Sequence, residues 1–167
     1  MKKAAVVAAL TLSVAILSAD AHAAQATSNA SAEVMTPISI SNTAALRFGK
    51  FSALTGGTVV LTAAGGRSAT GAVVLSSTDT GGAASFSVTG DANATYAITL
   101  PNSATLTHGT DNTKTMSVGT FTSNPSGTGT LSAGGAQTLT VGATLTVGNA
   151  QTTGSYSGTF DVSVEYN

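Results

Sequence analysis

The sequence predicts an all-β protein built as a sandwich, and three observations carry that prediction. In residues 156–167, Phe160, Val162, Val164 and Tyr166 alternate with Thr159, Asp161, Ser163, Glu165 and Asn167. This is the period of two of a strand with one apolar and one polar face. Similar short runs recur along the chain, separated by turn residues every ~8–12 positions, the spacing of a sandwich. After Ala23 helical periodicity is absent, and Thr, Val and Gly are plentiful.

The elements follow in order. Residues 34–40 form a strand region, with Pro37 placing it at an edge or a break. Residues 46–51, carrying Arg47-Phe48-Gly49, form a second, and residues 58–62 a third after the Gly56-Gly57 turn. Residues 65–71, glycine-rich at both ends, read as a hairpin loop ahead of a strand at 72–76. Residues 84–89 put Phe86 and Val88 on one face, and residues 95–100 do the same with Tyr96, Ile98 and Leu100 before Pro101-Asn102 stops the run. Residues 107–113 read as a loop. Residues 115–122 form a strand in which Phe121 breaks the alternation of Met116 and Val118, the mark of a bulge near Gly119. A Pro/Gly/Ser loop at 123–130 precedes a long strand at 137–147, where Leu139, Val141, Ala143, Leu145 and Val147 alternate and Gly142 offers a bend.

The first 23 residues have the three parts of a secretory signal: Lys2 and Lys3, an apolar stretch over 4–17, and Ala21-His22-Ala23 before the expected cut. The stretch is shorter than the ~20 residues that span a bilayer, and no integral membrane segment is expected after it. The 144 residues after Ala23 suit one domain, expected at 37–167, with 24–36 as an N-terminal extension. Residues 24–32 are small, polar and uncharged, which predicts a mobile tail.

Past Ala23 there are four basic and six acidic residues with no basic cluster, so no nucleic-acid partner is expected. An exported chain with no cysteine takes its stability from packing or assembly. Charged residues make up 8 % of the chain, against about 25 % in an ordinary soluble domain. That surface suits an extracellular structural protein better than a dispersed enzyme.

Catalytic chemistry finds little to work with. His108 is the sole histidine after the signal, in His108-Gly-Thr-Asp111-Asn112, and reads as a solvated turn, since no serine has the surroundings of a nucleophile elbow. Asp91-Ala-Asn93 is a fragment of a calcium loop without its remaining ligands, and also reads as a turn. Phe48, Phe86, Tyr96 and Phe160 fall on inward strand positions. No catalytic residue, metal ligand or cofactor is expected.

The two ends of the chain carry a resemblance. Gly154, the alternating strand after it and the penultimate Tyr166 resemble the signature of bacterial chaperone–usher pilins. The stretch Thr36-Pro37-Ile38-Ser39-Ile40 … Leu46-Arg47-Phe48-Gly49 resembles the opening of a Cys-free family of exported bacterial proteins, known only as a domain of unknown function and similar to fimbrial subunits. The resemblance implies an immunoglobulin-like sandwich lacking its last strand, completed by a donor strand from the next subunit. It implies a groove-facing strand of Gly154, Phe160, Val162, Val164 and Tyr166. The donor would be the extension, with Ala26, Ser28, Ala30, Ala32 and Val34 facing the groove. The implied partners are other pilin subunits, a periplasmic chaperone and an outer-membrane usher, and the implied destination is the cell surface. An adhesive tip module and a self-contained envelope sandwich with its tail folded back are the alternatives. The absence of tryptophan weighs against a sugar-stacking platform.

Overall fold

The computed structural model of the protein describes residues 23–167. The expected signal segment, up to His22, lies outside the described residues. Residues 23–33 are exposed and carry no strand. Residues 34–167 form a compact unit of their own. Among the described residues there is no helix, and every strand pairing is antiparallel. The fold is an all-β sandwich of the immunoglobulin-like kind.

The strands are β1 (Ser39–Ala44), β2 (Phe51–Leu61), β3 (Arg67–Leu75), β4 (Ala84–Thr89), β5 (Thr95–Thr99), β6 (Ser103–His108), β7 (Thr115–Asn124), β8 (Thr128–Thr130), β9 (Ala136–Val147), β10 (Tyr156–Ser157) and β11 (Ser163–Tyr166). The larger sheet runs β1-β4-β9-β7-β6-β10, with β2 on β9 and β3 on β2. The smaller sheet runs β11-β5-β8.

β9 is the spine. Its first half pairs with β4 and its second half with β2, along the same edge, while β7 takes the other edge. Gly142 stands where β9 passes from β4 to β2. A Cβ there would run into the Leu61 carbonyl and the backbone of Thr62 and Ala63, so this close approach needs glycine. The alternating Leu139, Val141, Ala143, Leu145 and Val147 all turn inward and are buried.

Two core clusters lie along this spine. One joins Val59, Leu61, Val73, Met116, Val118, Leu145 and Phe48; the other joins Val88, Tyr96, Leu131, Leu139 and Val141. The small sheet covers the second cluster. Over the first, the β2–β3 ribbon folds across, turned by a register shift between Ala53 and Gly57.

Several expectations are corrected. The strand region 34–40 begins only at Ser39. Residues 46–50 form no strand: Arg47 makes one bridge to Gly82, and Gly49 lies against the 79–81 backbone. The loop expected over 65–71 shrinks to a turn at 62–66, because Arg67–Gly71 already pair with β2. The loop expected over 107–113 begins after β6, a strand the reading missed, and the 123–130 loop includes the end of β7 and all of β8. The bulge near Gly119 is present as a register shift between Gly119 and Thr122. The continuous strand over 156–167 is divided: β10 pairs with β6 in one sheet, β11 with β5 in the other. The alternation itself holds, with Phe160, Val162, Val164 and Tyr166 half-buried and their neighbours exposed.

Candidate functional site

The main cavity is an open apolar cleft of about 810 Å³ over the first core cluster. Its floor is the inner face of the large sheet: Ala104 and Leu106 from β6, Met116 and Val118 from β7, Leu145 from β9. One wall is residues 46–53, which turn Phe48 and Phe51 inward; the other is residues 151–160, with Tyr156 and Phe160. At one end Ala150 N–H donates to the Leu54 carbonyl at 3.3 Å. Between the walls themselves no backbone hydrogen bond is made among the described residues. An open gap with an apolar floor is what this leaves.

Each wall is braced from behind. The Arg67 guanidinium donates to the carbonyls of Lys50 (2.6 Å), Asp79 (3.1 Å) and Ser76 (3.2 Å). Arg47 pairs with Asp79 at 2.9 Å, and its backbone exchanges two hydrogen bonds with Gly82. On the other wall, β10 sits on β6 in the register Tyr156↔His108 and Ser157↔Thr107. Tyr156 Oη donates to the Thr152 carbonyl and accepts from Gln151, both at 2.8 Å.

His108 is buried at the end of β6, which corrects its reading as a solvated turn residue. Its Nδ1 accepts the Thr110 N–H at 3.3 Å, so the ring proton resides on Nε2, which donates to the Thr153 carbonyl at 3.1 Å. The ring also meets Tyr156 edge-on at 5.0 Å. It packs directly under Gly154, where any Cβ would strike Nε2 and where φ is +147°. The glycine at 154 is therefore a condition for the histidine to brace the wall. Asp111 turns to Thr113 instead, accepting its N–H at 2.9 Å and its hydroxyl at 2.6 Å. Those two bonds hold its carboxyl below the usual range.

The structure distributes the expected groove residues over two places. Gly154 and Phe160 line the cleft. Val162, Val164 and Tyr166 pack on the second core cluster, with β11 at the edge of its sheet. Tyr166 Oη donates to the Thr36 carbonyl at 2.7 Å and accepts the Asp91 N–H at 2.6 Å, so it pins the start of the compact unit. Ala26, Ser28, Ala30, Ala32 and Val34 are all exposed, Val34 by 94 %. The residues that sequence reasoning missed are the bracing ones, Arg67 and His108. The signal for His108 was its place two residues after Leu106, which is two after Ala104: one inward face.

Fold and cleft together define a class, an antiparallel β-sandwich open along one flank. Residues 38–166 match the family described as Domain of unknown function (DUF4402), and the chain belongs to that family. No curated protein matches the chain.

Proposed function

We propose that the protein is a structural subunit of a bacterial surface fibre, exported and then polymerised by strand exchange. The cleft of one copy receives an extended strand, residues 24–36 of the next. Before assembly a periplasmic chaperone lends a strand to the same cleft, and an outer-membrane usher exchanges one for the other. The open cleft carries this reading: two backbone walls face each other without a ladder above an apolar floor. An inserted strand gives those walls partners, which is β-augmentation. The knobs of the tail are small, each methyl contributing about 0.8 kcal/mol on burial. Main-chain hydrogen bonds, at about 1 kcal/mol each, supply most of the affinity.

The attachment point of the tail favours exchange between copies. β1 runs along β4 from Ser39↔Thr89 to Ala44↔Ser85, and Arg47 then bridges to Gly82. At ~3.3 Å per residue the chain advances ~26 Å from Ser39 to Arg47. A tail folded back on its own subunit uses at least about eight residues to return that distance. Fewer of its even-numbered side chains then remain for the cleft. In a neighbouring copy the whole tail is usable.

The test is deletion of residues 24–34 in a cell that makes the full secretion system. The expected result is a folded, chaperone-bound subunit and no fibres by electron microscopy of sheared surface material. Fibres of normal length and number from the deletion overturn the reading.

A further inference from the structure

We infer that Lys50 on the cleft rim pairs with Glu33 of the incoming strand, and that this ion pair sets the strand's register; the inference rests on the strand-exchange reading above. Three charged side chains line the cleft: Arg47, Lys50 and Asp79. Arg47 and Asp79 neutralise each other at 2.9 Å. Lys50 is exposed and makes no ion pair among the described residues. Its backbone is nonetheless fixed at both ends. The N–H donates to the Asp79 carbonyl at 3.1 Å, and the carbonyl accepts from Arg67 at 2.6 Å and from Ser76 N–H at 3.0 Å. An exposed ammonium on a hydrogen-bonded base is thus presented at the edge of an apolar cleft.

The tail supplies one complement. Across residues 24–36 Glu33 is the sole charged residue. It shares the odd face with Thr27, Asn29 and Ser31, opposite Ala26, Ser28, Ala30, Ala32 and Val34. With the even face down on the floor, the Glu33 carboxylate stands on the open side of the cleft, where the Lys50 ammonium can meet it.

Register is the problem this pair solves. A strand with Ser28, Ala30 and Ala32 as successive knobs slips by two residues and replaces one small side chain by another, so its packing specifies position weakly. The same slip displaces Glu33 by ~7 Å, beyond contact with Lys50.

The chain has no cysteine, so introduced pairs report without background. Fibres are assembled from the full chain carrying Lys50→Cys together with Glu33→Cys, Ser31→Cys or Met35→Cys, and separated on non-reducing gels. The expected result is a covalent ladder from the 33/50 pair and little from the 31/50 and 35/50 pairs. In parallel, Lys50→Glu and Glu33→Lys alone lower fibre yield roughly two- to fivefold, the range of an exposed ion pair, and the double reversal restores it. Equal ladders from all three pairs, or fibres without a 33/50 ladder, overturn the register pairing while leaving strand exchange in place. Fibres from the chain deleted of residues 24–34 overturn both.

Discussion

Single residues in this protein act mainly through hydroxyls and backbone. Tyr166 links Thr36 to Asp91, tying segments 130 and 75 residues away. Tyr96, with no exposed surface, donates its hydroxyl to Gln137 Oε1 at 2.7 Å. Burial raises its pKa above the ordinary tyrosine value. The folded state therefore keeps a proton that the unfolded chain gives up first. The stabilising contribution is whole below pH ~10 and is lost as pH climbs through the folded value. Urea midpoints of the protein between pH 9 and 11.5 should fall more steeply for the wild type than for Tyr96→Phe; parallel curves would exclude Tyr96 as the group responsible. The inward side of Tyr96 was legible from its alternation with Ile98. The gripping role of Tyr166 was not, because its partners lie on distant segments whose approach no local pattern encodes.

At the scale of elements, alternation proved a good guide to sidedness and a poor one to pairing. β4, β5 and β9 stand almost where their patterns put them. The run over 156–167 kept its polarity yet divided between two sheets, since a period of two records which face meets the core and not which neighbour supplies hydrogen bonds. β6 was overlooked because Pro101-Asn102 and the glycine after His108 frame it with turn residues. Residues 46–50 failed as a strand although their apolar side chains do turn inward, because the backbone groups of Arg47 and Lys50 bond to residues 76–82 instead. Gly142 was singled out as a place for a bend, and what the glycine provides there is room for the Leu61 carbonyl. Gly142→Ala should cost about 1–3 kcal/mol by forcing β2 and β9 apart, the usual range for overpacking. Thermal unfolding checks this; an unchanged midpoint would show that β2 moves aside freely.

At the largest scale, residues 34–167 form a sandwich built along one spine strand with an open cleft along one flank. The cleft could not be seen in the sequence, since its walls are about a hundred residues apart and its floor comes from three further strands. Hydrogen exchange should separate the two regions. In the isolated protein the amides of 151–155 and of Phe48 and Gly49 should exchange well before those of 138–146, and the proposed assembly should slow the former by an order of magnitude or more. Uniform protection in the free subunit would mean that the flank is already closed.

The position of the spine strand has a further consequence for how the protein is made. β2, β4 and β7 all emerge from the ribosome earlier than β9, yet each relies on it for a neighbour. Only pairings among the earlier strands, β2 with β3, β1 with β4, β6 with β7 and β5 with β8, can close in the meantime. Such long-range pairing is slow, and the delay leaves apolar faces such as Val59 and Val88 without cover until residue 147 has appeared. On the export proposed above, a chain slow to lock up is one that a translocation pore can thread.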